Sequence, residues 1–365
     1  MKVTFPHLGN TCFAAKAVFD GLGVDYIIPP LSNREALEIG SFYSPEEMCL
    51  PFKIMIGNYI QSIKQGADTI LMVGSCGPCR FGEYCELQMN LLKKLGYNLN
   101  FIVLDYPKDI GLKELMRRLL SIGSVSKKNT IEKLKVVHQG LKIINLMDNI
   151  DKKVKLLSGY EIKKGQCKNI LKDCKLKAFK TTSPEEMIFT IKKYMEQLSK
   201  VPISKNKKPL KIAIIGEIYT IIEPFSNLFI EEKLMNYGVS TARYLSPSWW
   251  IKDMALSPLK LNSLSLRRNS KKYLPYYIGG HTRECIGEAV LADKSGFDGA
   301  IQIFPMGCMP EIVSKSILPT ISKDRDFPIL TLIVDEMTGE AGYITRIEAF
   351  LDLLERRKKN VLYGS

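Results

Sequence analysis

Three short segments hold the residues best suited to chemistry. They are Glu47-Met48-Cys49-Leu50-Pro51-Phe52-Lys53, Gly74-Ser75-Cys76-Gly77-Pro78-Cys79-Arg80-Phe81-Gly82 and Phe304-Pro305-Met306-Gly307-Cys308-Met309-Pro310-Glu311. Each sets cysteine beside Gly or Pro, and the last two follow strand-like apolar runs. Thiolates on loops at strand ends can converge in space while far apart in sequence. Cysteine sulfur is the preferred ligand of soft metals and of iron–sulfur clusters. Cys76 and Cys79 form a CxxC, with Cys85 six residues further on. A lone CxxC is shared with thioredoxin-like redox sites. A structural zinc site would add a second CxxC or a histidine pair, and the ferredoxin run of four close cysteines is absent. Two readings stand: single cysteines from three loops hold one cubane with an iron open to substrate, or the thiols are small buried apolar residues.

The other chemistry-bearing residues are scattered. Cys12 follows the first strand and either looks towards the ligand side or starts a helix in the core. Cys285 opens a helix after Gly279-Gly280-His281, and Cys167 and Cys174 read as structural. Cys12, Cys76 and Cys85 are the additional ligand candidates. His7, Arg80, Glu311 and Glu336 are the substrate-binding candidates. Their bland alternatives are backbone hydrogen bonding for His7, a surface ion pair for Arg80 and helix capping for the acids. No phosphate-binding GxxxxGK[ST] occurs and no GxGxxG follows a strand, so the chain is not an evident nucleotide binder.

The elements that must position these residues alternate between strand and helix. From Met1 to about 123, strands are expected at Lys2–Pro6, Val24–Pro29, Asp68–Val73 and Asn100–Leu104, with helices between them, including one through Glu47–Gln65. From about 124 to 209 the pattern is helical and rich in lysine. Val201–Pro209 reads as a linker. From 210 to 365 strands are expected at Lys211–Glu217, Val239–Arg243, Ala300–Phe304 and Ile329–Val334, again with helices between, while Ser246–Ser270 has no clear pattern. This predicts an α/β fold with parallel pairing through right-handed crossovers: an N-terminal α/β domain over 1–123, a Lys-rich helical insert over 124–209 and a C-terminal α/β domain over 210–365. Ligands in such sheets gather at the carboxyl ends of the strands.

Composition narrows the classes further. The 365 residues are 45% hydrophobic and 25% charged, ordinary for a soluble protein. No run of about 18 apolar residues appears, so no membrane span is expected. The chain begins directly with a strand pattern and has no charged-then-apolar leader, which points to the cytoplasm. Nine cysteines in that compartment argue against a disulfide framework.

At its motifs the chain resembles the 2-hydroxyacyl-CoA dehydratase/benzoyl-CoA reductase superfamily, in the branch related to CoA-enzyme activases. The resemblance is carried by Pro6-His7-Leu8-Gly9-Asn10, Tyr43 through Lys53, Gly77 through Gly82, Gly216-Glu217-Ile218-Tyr219, Cys308-Met309-Pro310-Glu311 and Asp335 through Arg346. It implies two flavodoxin-like domains with a 4Fe–4S cluster in the cleft between them, held by Cys49, Cys79 and Cys308. It also implies a separate ATPase activator, itself an iron–sulfur protein, that delivers low-potential electrons for dehydration of a 2-hydroxyacyl-CoA or for reduction. Relatives with a double cubane reduce small molecules. Two cubanes would need about six thiolates, which Cys12, Cys76 and Cys85 would complete. A non-catalytic electron-transfer or accessory protein is the alternative from another class. The resemblance further implies anaerobic chemistry, an oligomer and a CoA ester as substrate, and it transfers no acyl pocket.

The net charge of +14 is placed unevenly. Val125 to Lys211 holds 22 Lys, no Arg and 8 acidic residues, whereas the remainder holds 30 basic and 30 acidic residues. Nucleic-acid surfaces mix Arg with aromatics, so no nucleic-acid partner is expected. The run is either a solvated helical face or a surface that meets an acidic partner or the phosphates of a coenzyme. If it steers an activator, the rate of ATP-dependent reduction will fall steeply with ionic strength and on charge reversal at Lys152, Lys153 and Lys155. Stopped-flow reduction at low and high salt measures this, and a rate insensitive to both changes leaves only a solvated face.

Overall fold

The computed structural model describes residues 1–74, 79–104, 107–204, 206–259 and 261–363. Cys76 lies outside the described residues. In chain order the elements are β1 (Val3–Thr4), α1 (Thr11–Leu22), α2 (Arg34–Tyr43), α3 (Leu50–Lys64), β2 (Thr69–Val73), α4 (Tyr84–Lys94), β3 (Asn100–Leu104), α5 (Pro107–Ile122), α6 (Thr130–Leu157), α7 (Gln166–Lys180) and α8 (Pro184–Ser199). They continue with β4 (Lys211–Gly216), α9 (Ile218–Ile222), α10 (Ile230–Asn236), β5 (Ser240–Ala242), α11 (Pro247–Leu256), α12 (Leu264–Ser270), α13 (Thr282–Lys294), β6 (Gly299–Pro305), α14 (Met309–Arg325), β7 (Ile329–Val334) and α15 (Glu340–Tyr363). The chain is an α/β protein with two parallel sheets, as the alternation of patterns predicts.

The chain divides into two compact units. The first comprises Met1–Asp151, Leu171–Ser199 and Ser246–Asn262. Its sheet runs β1-β2-β3, all parallel. The strand expected over Val24–Pro29 is reduced to one bridge, Tyr26 beside Val3, with Val3 N–H donating to the Asp25 carbonyl at 2.9 Å and Ile27 N–H to the Val3 carbonyl at 2.8 Å. The pairing stops because Pro29 and Pro30 have no N–H to give. Their two carbonyls are instead both met by His7 Nε2, at 2.8 Å each. A helix the sequence patterns did not reveal, α2, starts at Asn33, whose side chain accepts from Ala36 N–H at 2.8 Å.

The second unit comprises Lys152–Ile170, Lys200–Leu245 and Ser263–Ser365. Its sheet order is β5-β4-β6-β7, again all parallel. This is the flavodoxin-like order, in which the second strand lies outside the first. Counting the Tyr26 bridge as a vestigial edge strand, the first unit has the same order. β4 and β6 are buried along almost their whole length, as strands covered by helices on both faces must be. Ala213, Ile215, Ile286, Ala289, Leu318 and Ile321 form part of that core.

The Lys-rich stretch is helical, as expected, but not uniformly solvated. Lys155 is buried: its Nζ donates to Glu231 Oε2 at 2.5 Å, and Arg243 Nη1 donates to the same oxygen at 2.8 Å. Lys168 pairs with Glu232 at 2.9 Å. The end of α6 and the start of α7 are thus held to α10 by charge. Reversing Lys155 would break a buried ion pair, so only Lys152 and Lys153, both exposed, serve as probes of a docking face.

In the first unit α2 and α3 cross with backbone on backbone. A Cβ on Gly40 would sit 1.7 Å from the Lys53 carbonyl oxygen, and one on Gly57 would sit 1.7 Å from that of Ala36. Neither partner is a side chain that can swing away, so only glycine permits the approach. Gly57→Ala is expected to destabilise by at least the upper end of the about 1–3 kcal/mol typical of overpacking. Urea unfolding checks this, and a loss below about 1 kcal/mol would mean that the helices separate at little cost.

Candidate functional site: cysteines at helix starts and a buried carboxyl cluster

Cys49, Cys79 and Cys308 occupy the same kind of position. Each has extended backbone and immediately precedes a helix: Cys49 before α3, Cys79 before the single 3-10 turn Arg80–Glu83 that leads into α4, and Cys308 before α14. Helix starts carry unpaired N–H groups and partial positive charge, which favour thiolate over thiol. Proline at the second position of α3 and α14 gives up an N–H that the first turn does not use.

In the first unit two of these segments meet. Arg80 Nη1 donates to the Glu47 carbonyl at 2.7 Å, tying the residue after Cys79 to the residue two before Cys49. Tyr84, the first residue of α4, hydrogen-bonds through its hydroxyl with Cys49 Sγ. Its ring stands edge-on to Phe52 at 5.1 Å and lies tilted against Phe81 at 4.9 Å. Arg80, a sequence candidate for substrate binding, therefore ties the two cysteine segments together. Cys85 follows on α4, half-buried and near Tyr59. Cys12 is buried in the first turn of α1, its Sγ 3.6 Å from the Gly9 carbonyl. His7 is 2% exposed and held by the two proline carbonyls.

In the second unit Cys308 is buried, and Glu311 lies one turn further along α14. Glu311 is 1% exposed. Gln302, at the middle of β6, donates through Nε2 to Glu311 Oε2 at 2.9 Å, while Thr331 Oγ1 donates to Gln302 Oε1 at 3.0 Å and fixes the amide. The Cys285 thiol and the Ser314 hydroxyl lie alongside the same carboxyl, and Glu217 is near. Burial, and to a lesser degree the Glu217 charge, push Glu311 up to about 7 against the pull of the Gln302 hydrogen bond. Glu288 is wholly buried and raised well above the usual carboxylate range, again chiefly by burial and then by Glu311 and Glu284. Its Oε1 accepts from Leu245 N–H at 3.1 Å, and among the described residues its Oε2 has no hydrogen-bond partner. Glu336, in contrast, lies in the Asp335–Thr338 turn that ends β7, where Asp335 Oδ1 accepts from Met337 N–H at 3.0 Å and from Thr338 Oγ1 at 2.7 Å.

Cys167 and Cys174 are buried thiols raised to about 12, both chiefly by burial and Cys167 also by Glu161. Such thiols are inert. Among the described residues no group of three His, Cys, Asp or Glu side chains is arranged to hold a metal ion. None of the described helices is long and apolar enough to cross a membrane. Two participants escaped the sequence reading. Tyr84 sits five residues past Cys79, and Glu288 shares a face of α13 with Glu284, four residues earlier, within a helix the patterns did predict. Compared with known proteins, the chain matches no family model and no curated sequence.

The carboxyl cluster has a consequence for stability. Glu311 moves from an ordinary 4.5 to about 7 on folding, so the folded state binds the extra proton. The contribution of the neutral acid is complete below about pH 4.5 and is lost as pH rises through about 7, by about 3 kcal/mol in all. The urea midpoint is expected to fall between pH 5 and 8, and Glu311→Gln, which cannot ionise, should flatten that fall. An equal slope in both proteins would show that Glu311 does not titrate there.

Proposed function

We propose that this chain is an iron–sulfur protein of the 2-hydroxyacyl-CoA dehydratase type. In this reading it accepts low-potential electrons from an ATP-dependent activator and uses them for dehydration or reduction of a CoA-linked or small substrate. Support comes first from the motifs that resemble the superfamily in order along the chain. The observation that carries the reading is that Cys49, Cys79 and Cys308 each stand at the start of a helix, the setting that stabilises thiolate sulfur.

Cysteine thiols are donors of the kind a cubane takes, although among the described residues no three His, Cys, Asp or Glu side chains are gathered to hold a metal ion. Three thiolates would hold a cubane at three corners, and the fourth iron would be left for substrate or a labile ligand, as an open position serves catalytic metals. When bound, the cluster supplies low-potential electron transfer. The protein residues supply the rest: helix N-termini offset the thiolate charge, Arg80 holds the two cysteine turns of the first unit together, and Glu311 keeps an exchangeable proton one turn from Cys308. The exposed lysines, Lys152 and Lys153 among them, are the surface offered to an acidic activator, which makes the functional unit a hetero-assembly in the cytoplasm. Neither a nucleic acid nor a membrane is part of this reading.

Anaerobic purification with iron and sulfide counting tests it. About four irons per chain are expected for one cubane and about eight for a double cubane. Cys49→Ser, Cys79→Ser and Cys308→Ser should each lose iron and colour, whereas Cys167→Ala and Cys174→Ala should keep them. Full retention in Cys79→Ser alone would move that ligand to Cys76. Full retention in all three serine variants would defeat the proposal.

A further inference from the structure

Over its first half, helix α6 meets the core along one stripe. Val136, Ile143, Met147 and Ile150 are buried, and Gly140 among them lies so close to α1 that a Cβ there would sit 2.5 Å from Val18 Cγ2. At 3.6 residues per turn, Ile131, Leu134, His138 and Leu141 fall on the opposite side of the helix. That side is open: Ile131 is 80% exposed, Leu134 and Leu141 are 41% exposed, and His138 is exposed as well. An ordinary surface helix turns polar residues outward. On α6 three of these four outward positions are apolar, and the four follow the i, i+3, i+7, i+10 spacing of a coiled-coil seam.

Charge decides what can cover this seam. Lys135 and Lys142, both exposed and seven residues apart, run along one edge of it, where coiled coils place their charged residues. From Val125 to Asn145 the chain holds five lysines and one acid, Glu132, whose carboxylate accepts from Asn129 N–H at 2.9 Å at the helix start. Glu185 of α8, close to Lys135, accepts from Gln139 Nε2 at 2.6 Å. A second copy of the chain would lay lysine against lysine, and like charges brought together oppose association. A bilayer takes a broad apolar face, commonly with aromatic residues. This seam is one side chain wide, and residues 130–145 contain no aromatic ring. The chemistry that fits is a helix that is apolar along its own seam and acidic beside it.

We propose that the outer face of α6, Ile131, Leu134, His138 and Leu141 edged by Lys135 and Lys142, is a docking seam for an acidic amphipathic helix of a partner protein. His138 sets the register, as a single polar residue within an apolar seam does. The inference uses none of the cysteines, so it stands or falls separately from the cluster reading.

The probe is a fluorescently labelled synthetic helix of about three heptads, with Leu at a and d and Glu at e and g. A counterpart carries Lys at e and g. Anisotropy titrations with the full-length protein at low salt are expected to show saturable binding of the acidic helix, at least about tenfold tighter than the basic one. Leu134→Ser combined with Leu141→Ser should weaken that binding by at least about tenfold. Lys135→Glu combined with Lys142→Glu should reverse the preference between the two probes. All four changes lie on the exposed face, so the urea midpoint should stay at the wild-type value. The inference is overturned if the acidic helix does not bind, binds no better than the basic one, or binds the doubly serine-substituted protein unchanged. It is also overturned if the two serine substitutions instead abolish a concentration-dependent dimer in sedimentation, or co-sedimentation with vesicles of phosphatidylserine and phosphatidylcholine. A second copy or a bilayer would then be what the seam meets.

Discussion

Burial of α3 on nearly every side is the constraint on which the first unit depends. Leu50 through Ser62 are all buried, with only the last two residues of the helix nearer solvent. A helix so enclosed carries polar groups that each need an answer. Lys53 reaches the Glu46 carbonyl at 3.2 Å, Asn58 the Ser32 hydroxyl at 3.1 Å, Gln61 the Glu35 carboxylate at 3.0 Å and Ser62 the Asn58 carbonyl at 2.9 Å. Gly40 and Gly57 let α2 close over it without an intervening side chain. Such a helix has little freedom to shift or rotate, because close-packed interiors do not deform smoothly. The residue at its head, Cys49, inherits that fixity. Were Cys49 the ligand proposed above, it would stand at the end of an element that cannot move.

The same solution appears in both units at different strands. β2 and β6 occupy corresponding places in their sheets, next to the first strand on the side away from the edge. After each, the next cysteine among the described residues immediately precedes a helix or 3-10 turn. Parallel sheets bring strand ends and helix starts to one side, so a cysteine between the two is delivered there. The units differ in what surrounds the thiol. Cys49 meets the hydroxyl of Tyr84, whose ring packs on Phe52 and Phe81, whereas Cys308 is followed one turn later by a carboxyl that retains its proton near neutrality. The first setting is aromatic and the second acidic.

Periodicity revealed the parallel α/β plan because β4, β6 and β7 are largely apolar, isoleucine-containing runs separated by helical patterns. It overstated Val24–Pro29, where the apolar pattern is genuine but two prolines end the ladder and hand their carbonyls to His7. It missed α2, whose start is marked by one capping asparagine and whose best-packed residue is a glycine, silent in any hydrophobic pattern. The cysteine segments were legible because Gly and Pro punctuate them. Tyr84 and Glu288 were not, since a tyrosine and a glutamate inside regular helices look like ordinary packing and ordinary surface until a tertiary neighbour gives them a role. Arg80 was legible as important and not as structural, because its partner is a backbone carbonyl 33 residues away.

The lysine-rich stretch shows why charge counts alone do not define a surface. Its excess is real, yet Lys155 is spent on Glu231 beside Arg243, and Lys168 on Glu232. Two cations on one buried carboxylate are tolerable only where further acceptors exist, and Arg243 has one in the Ile221 carbonyl at 2.9 Å. The helices thus use part of their charge to anchor themselves to α10 and leave the remainder, on residues such as Lys152, Lys153, Lys163 and Lys164, in solvent. Screening over about 8 Å at physiological salt lets such a field steer an encounter without holding the partner afterwards. The electron donor proposed above would require that behaviour.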